Sequence, residues 1–145
     1  MSRIAGCPLC DDAGGRLVFQ APKWRLIHAQ EAGFPGFYRV VWQDHVREFS
    51  QLTRADRIAC MDAVTAVEGA MLRHLQPAKV NVATLGNLVP HLHWHVIARF
   101  DWDSHFPGPV WAQPQRPADA AREQDLARRL PALEQELLSV LPRAV

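Results

Sequence analysis

Three histidines at alternate positions, in the run His91-Leu92-His93-Trp94-His95-Val96-Ile97, are the densest concentration of chemically capable side chains in the sequence. On a strand, alternation with period two places the three imidazoles on one face and Leu92, Trp94 and Val96 on the other, where they can pack. A row of imidazoles has no packing use of its own, although an antiparallel strand can carry such a row on a face open to water. Two chemistries are open to it. The row can ligate a catalytic metal with one free position that activates water. Alternatively, one imidazole is itself the nucleophile, and its neighbours hold an anionic substrate together with backbone N–H groups.

Cys7 and Cys10 form the second group. Three cysteines are too few, and of the wrong parity, for a disulfide framework, so Cys7-x-x-Cys10 reads as a metal or redox pair. A redox pair of this spacing belongs at the start of a helix that follows a strand, and nothing before Cys7 can be that strand. As a zinc knuckle the pair is half a site and needs two further ligands. Cys60 falls inside a helical stretch and reads as a small buried residue. His28 and His105 have no evident partner, His74 suits the C-terminal end of a helix, and Asp101 and Asp103 read as solvated loop acids. Trp42, Trp94, Trp102 and Trp111 read as core or interface residues, with Trp102 or Trp111 also able to stack on a base.

The elements that must position these groups follow an α+β order. Runs with strand character cover residues 16–20, 24–29 and 37–43, the first two as a hairpin and the third rich in Val and aromatics. Thr53 with Asp56 starts a helix in which Ile58, Met61, Val64, Val67 and Met71 recur at spacings of three or four as far as about Leu75, and Gln76-Pro77 ends it. Two further strands, 79–84 and 92–100, follow. A Pro-rich segment then leads to a helical tail, about 118–142, whose Leu126, Leu130, Leu133 and Leu137 form a stripe with Pro131 as a kink or restart. Strands, helix, strands and tail make an α+β pattern rather than alternating βα units.

The remaining composition narrows the function. At 145 residues with 48% apolar content, the chain fits one domain, 1–145, with a real core. A net charge of +1 supplies no footprint for a nucleic acid polymer or an anionic membrane. No apolar stretch reaches membrane-span length, and the N-terminus lacks the apolar region of a secretory signal, so the expected compartment is the cytoplasm. Fourteen arginines against Lys23 and Lys79 favour fork-shaped anion recognition wherever an anion is bound.

The run His91-Leu92-His93-Trp94-His95-Val96-Ile97 resembles the His-x-His-x-His-x-x signature of the histidine triad (HIT) superfamily, nucleotide hydrolases and transferases that act at phosphorus. The resemblance extends to Cys7-Pro-Leu-Cys10, to residues 45–53, to Gly86-Asn87-Leu-Val-Pro and to Pro109-Val-Trp111, covering about residues 7–112, and is greatest to bacterial dinucleoside-polyphosphate hydrolase-like members. It implies a HIT-like fold: an antiparallel sheet of about five strands against one long helix, here with a C-terminal helical extension.

By the same resemblance, His93 would attack the α-phosphorus of a dinucleoside polyphosphate or related nucleotide conjugate. The nucleotidyl-histidine so formed is then cleaved by water, with His95 as hydrogen-bond donor or orienting partner. Asn87 stands where many members carry Gln, which puts the leaving group in question, and Glu31 is the candidate ribose-binding acid. Cys7, Cys10, His45 and His91 fill the positions of a structural zinc site known in some members. A closed site of that kind would take up His91 and leave His93 and His95 for phosphorus chemistry. A homodimer is implied as well. A phosphoramidase or nucleotidyl transferase, a three-histidine metallohydrolase and a non-catalytic nucleotide-binding module are the alternatives.

Overall fold

Apolar side chains alternate along most of the chain's strands, and in the computed structural model, which describes residues 2–141, that alternation divides the two faces of one sheet. A short helix, α1 (Pro8–Asp11), precedes β1 (Arg16–Gln20), β2 (Trp24–His28) and β3 (Phe37–Trp42). Helix α2 (Arg54–Leu75) follows, then β4 (Lys79–Ala83), β5 (His93–Arg99), α3 (Ala120–Ala127) and α4 (Leu130–Val140). The strands lie in the order β1-β2-β3-β5-β4, and every neighbouring pair is antiparallel. The architecture is the expected HIT-like α+β fold. Among the described residues no helix is long and apolar enough to cross a membrane.

One face of the sheet, carrying Leu26, Tyr38, Val40, Val96 and Ala98, buries itself against α2. Helix α2 begins where Thr53 Oγ1 accepts a hydrogen bond from the Asp56 N–H at 3.1 Å, and it ends where Gln76 adopts a left-handed conformation with φ 51° before Pro77. Its core stripe is Cys60, Val64, Val67, Met71 and Leu75, with Ala63 and Ala70 letting the helix approach closely. Ile58, expected in that stripe, is about half exposed at 48% because the sheet meets the helix one step further round. The tail is part of this layer. Pro131 sits in the first turn of α4, where its missing N–H costs nothing, and Leu126, Leu130, Leu133 and Leu137 join the same core. Glu134 receives Arg16 at 2.7 Å and the Tyr38 hydroxyl at 3.2 Å, while Glu136 pairs with Arg73 and His74, so α4 is tied to both sheet and helix.

The other face carries Ile27, Phe37, Arg39, Val41, His93, His95 and Ile97; the short α1 covers it only at Ile27 and Val41, through Leu9, which leaves room for a cavity.

Candidate active site

His93 and His95 occupy the start of β5, where Val41 and Arg39 of β3 stand directly opposite them. The two rings are 4.9 Å apart and edge to face. His93 Nδ1 lies 2.6 Å from the backbone oxygen of His91. A carbonyl only accepts, so Nδ1 carries the proton and the lone pair of the neutral ring is on Nε2. His95 has the opposite tautomer: its Nδ1 accepts from the Nε–H of Arg39 at 3.2 Å, which leaves Nε2 as a donor. One imidazole thus presents a free lone pair and its neighbour an N–H donor.

Electrostatics keep both rings neutral. Burial, and to a lesser degree the Arg39 charge, hold His93 below the ordinary histidine range, against the opposing bond to the His91 carbonyl. Burial, the neighbouring His93 and Arg39 bring His95 down to about 3. A neutral His93 is the form that can attack.

These residues line a cavity of about 460 Å³. One end is apolar, built from Pro8 and Leu9 of α1, Val89 and Leu88. Asn87 and Gly86 of the β4–β5 loop form another wall, and Gly86 needs its φ of +78°, where a side chain would be strained. Trp111 closes the cavity edge-on to His95 at 5.2 Å. Trp102 stacks instead on Phe100 against the helical layer and lines no part of the cavity. Glu31 lies on the exposed β2–β3 loop, also outside the lining. Arg39, not flagged by the sequence, is the added member.

The loop carrying Trp111 is anchored from below. Asp103, read from sequence as a solvated acid, is 3% exposed and pairs with Arg99 at 2.9 and 3.0 Å; it also accepts the N–H groups of Phe100, His105 and Phe106. Burial would raise its carboxyl, but those bonds and the Arg99 charge outweigh it and hold Asp103 below the ordinary range. Arg99 also bonds the Gly108 carbonyl at 2.7 Å, fixing the loop to β5.

Beside the cavity, Cys7, Cys10, His45 and His91 bring their ligand atoms within 4.8 Å of one another. Cys7 Sγ is 3.4 Å from His91 Nδ1, and Cys10 Sγ is 3.4 Å from His45 Nδ1 and 3.5 Å from His91 Nδ1. Sulfur and nitrogen ligands of a tetrahedral zinc stand about 3.5 Å apart, so this donor set can hold a metal ion. The other nitrogen of His91, Nε2, bonds the Trp42 carbonyl at 2.6 Å, the outer contact a ligating imidazole needs. Buried Arg25 donates to the carbonyls of Leu9, Asp12 and Ala13 and so satisfies the C-terminal end of α1. His91 itself lies two residues before β5 and turns toward the cysteines, so the three triad imidazoles do not converge on one point.

The family model of the HIT domain matches residues 12–102. The chain belongs to the HIT family. Among solved structures, a histidine triad protein from Bradyrhizobium japonicum is 27% identical, with a TM-score of 0.69 over 91% of this chain and 98% of its own. Another, from Marinobacter aquaeolei, is 27% identical with a TM-score of 0.68 over 86% and 92%. A Zn-bound histidine triad family protein from Mycobacterium smegmatis, 20% identical, shares the fold with a TM-score of 0.62 over 92% and 96%. No curated protein matches significantly. Membership of the HIT family suggests nucleotide hydrolase or transferase activity and a nucleotide substrate.

Proposed function

We propose that this HIT protein hydrolyses a dinucleoside polyphosphate or related nucleotide conjugate at its α-phosphate, through a nucleotidyl intermediate on His93. The observation that carries this reading is the 2.6 Å contact of His93 Nδ1 with the His91 carbonyl, which leaves the Nε2 lone pair free beside a donor, His95. Nε2 attacks the α-phosphorus and the leaving group departs with its bonding electron pair. Water then attacks the same phosphorus, the P–N bond breaks with its electrons returning to Nε2, and one proton passes to solvent. His95 Nε2–H and the Asn87 amide hold phosphate oxygens, and the apolar end of the cavity takes the base. The exposed Glu31 is retained only as the candidate ribose contact.

Cys7, Cys10, His45 and His91 are proposed to hold a structural zinc, in line with the donor spacing and the Zn-bound relative. Zinc bound there would tie α1 and the approach to β5 into one unit. The outward turn of His91 argues against a three-histidine metallohydrolase. The domain is proposed to span the whole chain, since the tail's leucines share the core with the sheet. A homodimer is proposed from the family resemblance, and the cytoplasm remains the compartment expected from the sequence.

The deciding experiment is rapid quench with radiolabelled diadenosine tetraphosphate. An acid-labile label on the protein is expected, absent in His93→Ala, whose melting temperature stays close to wild type and whose turnover falls at least about a thousandfold. Full turnover by His93→Ala overturns the mechanism.

A further inference from the structure

Among the described side chains lining the cavity, only Arg39 is a permanently charged group. It is half-buried on β3 opposite His95, with its guanidinium 4.9 Å over the Phe37 ring. The other two arginines on this face are saturated with oxygen acceptors: Arg99 bonds Asp103, Asn81 and the Gly108 carbonyl, and Arg25 bonds three carbonyls and Gln43. Arg39 spends its Nε–H on His95, and among the described residues no carboxylate lies within ion-pair distance of it. Glu31 acts on it only through space. Withdrawing a guanidinium from water with no counter-charge is costly, and its remaining forked N–H groups match the geometry of phosphate oxygens.

We propose that Arg39 is a phosphate-binding residue of this site: its terminal N–H groups take non-bridging oxygens of the nucleotide, while its Nε–H holds His95 with Nε2–H available to the same phosphate chain. The inference rests on the reading of the cavity as a nucleotide site and deepens it. The ligand class is a nucleoside 5′-phosphate with at least one free anionic oxygen at the guanidinium. That oxygen belongs to the attacked phosphate, the one His95 also faces.

The test is calorimetric titration of wild type, Arg39→Gln and Arg39→Lys with adenosine, AMP and ADP, alongside the nitrogen-15 spectrum of the histidines. Arg39→Gln is expected to weaken AMP at least about tenfold, the worth of a charge-assisted hydrogen bond, and to leave adenosine unchanged. Arg39→Lys should recover part of the loss by restoring charge without the fork. The losses for AMP and ADP should be equal, because both carry the attacked phosphate, and a loss confined to ADP contradicts the contact. The His95 resonances should move from a fixed Nε2–H tautomer toward a mixture in Arg39→Gln.

Unchanged AMP affinity in a folded Arg39→Gln, equal losses for adenosine and AMP, or no AMP binding by wild type overturns the inference. The two readings fail separately. A nucleotidyl-protein formed while Arg39→Gln binds AMP normally removes only the role of Arg39. AMP binding that depends on Arg39, without any nucleotidyl-protein, removes only the hydrolytic mechanism.

Discussion

At the scale of single residues, the division of labour among the triad comes from what each ring's Nδ1 touches. His93 Nδ1 meets a backbone carbonyl, His95 Nδ1 meets an arginine, and His91 Nδ1 meets two cysteine sulfurs. The period-two spacing made the row legible in the sequence, but the tautomers depend on neighbours from β3 and α1. Arg39 escaped notice because one arginine among fourteen, inside an otherwise apolar strand, carries no local signal of which face or partner it meets. The proposed zinc site gives a prediction at this scale. Wild-type protein purified without chelator should carry close to one equivalent of zinc by elemental analysis, and Cys10→Ser less than about a tenth of one, because removing a thiolate opens a four-ligand site. Its melting temperature should fall as well, since metal binding is coupled to folding. Wild type free of zinc would remove the proposal.

Between elements, the decisive device is the buried pair that bolts the segment after β5 to the sheet. Two acids in a polar loop are usually solvated, and only the fold shows Arg99 reaching Asp103 from the last position of β5. Asp103→Asn leaves the Arg99 guanidinium buried and unpaired and should cost about 3–5 kcal/mol in urea denaturation at pH 7. The pH dependence follows from the depressed carboxyl. Its folded value lies below its unfolded one, so its stabilisation is fully present above the unfolded value, near 4, and is lost as pH falls through the folded value. Wild type should therefore lose, as the pH falls below about 4, an increment of stability that Asp103→Asn lacks. Matching acid profiles for the two proteins would contradict this account. The boundaries of β1 and α2 were readable from local signals, namely the Gly14-Gly15 turn and the Thr53 cap; the four-residue α1 was not, being too short to show a period.

For the whole molecule, the tail is the element whose meaning changed most. The leucine stripe was visible in sequence, yet nothing there said what it covers. In the fold α4 lies on α2, with Leu133 and Leu137 fully buried. Leu137→Ala should cost about 2–5 kcal/mol of stability, since it opens a cavity in the shared core. AMP affinity measured below the melting transition should stay within about twofold, because the substitution lies on the face of the sheet opposite the site. A cost under about 1 kcal/mol would mean that the tail is an independent appendage.

The sequence by itself determined the order of the strands and the long helix, the imidazole row and, through its resemblance to the family, the four side chains able to hold a metal. The elements and the row are written in spacing, which any strand or helix converts directly into a face. Only the tertiary structure decided that His91 leaves the row, that Arg39 joins His95, that Asp103 is a buried anchor and that Glu31 stays outside the cavity. Each of these depends on which residues of distant strands and loops become neighbours. Register and burial across a sheet are set by the packing of all its strands together, not by any one of them.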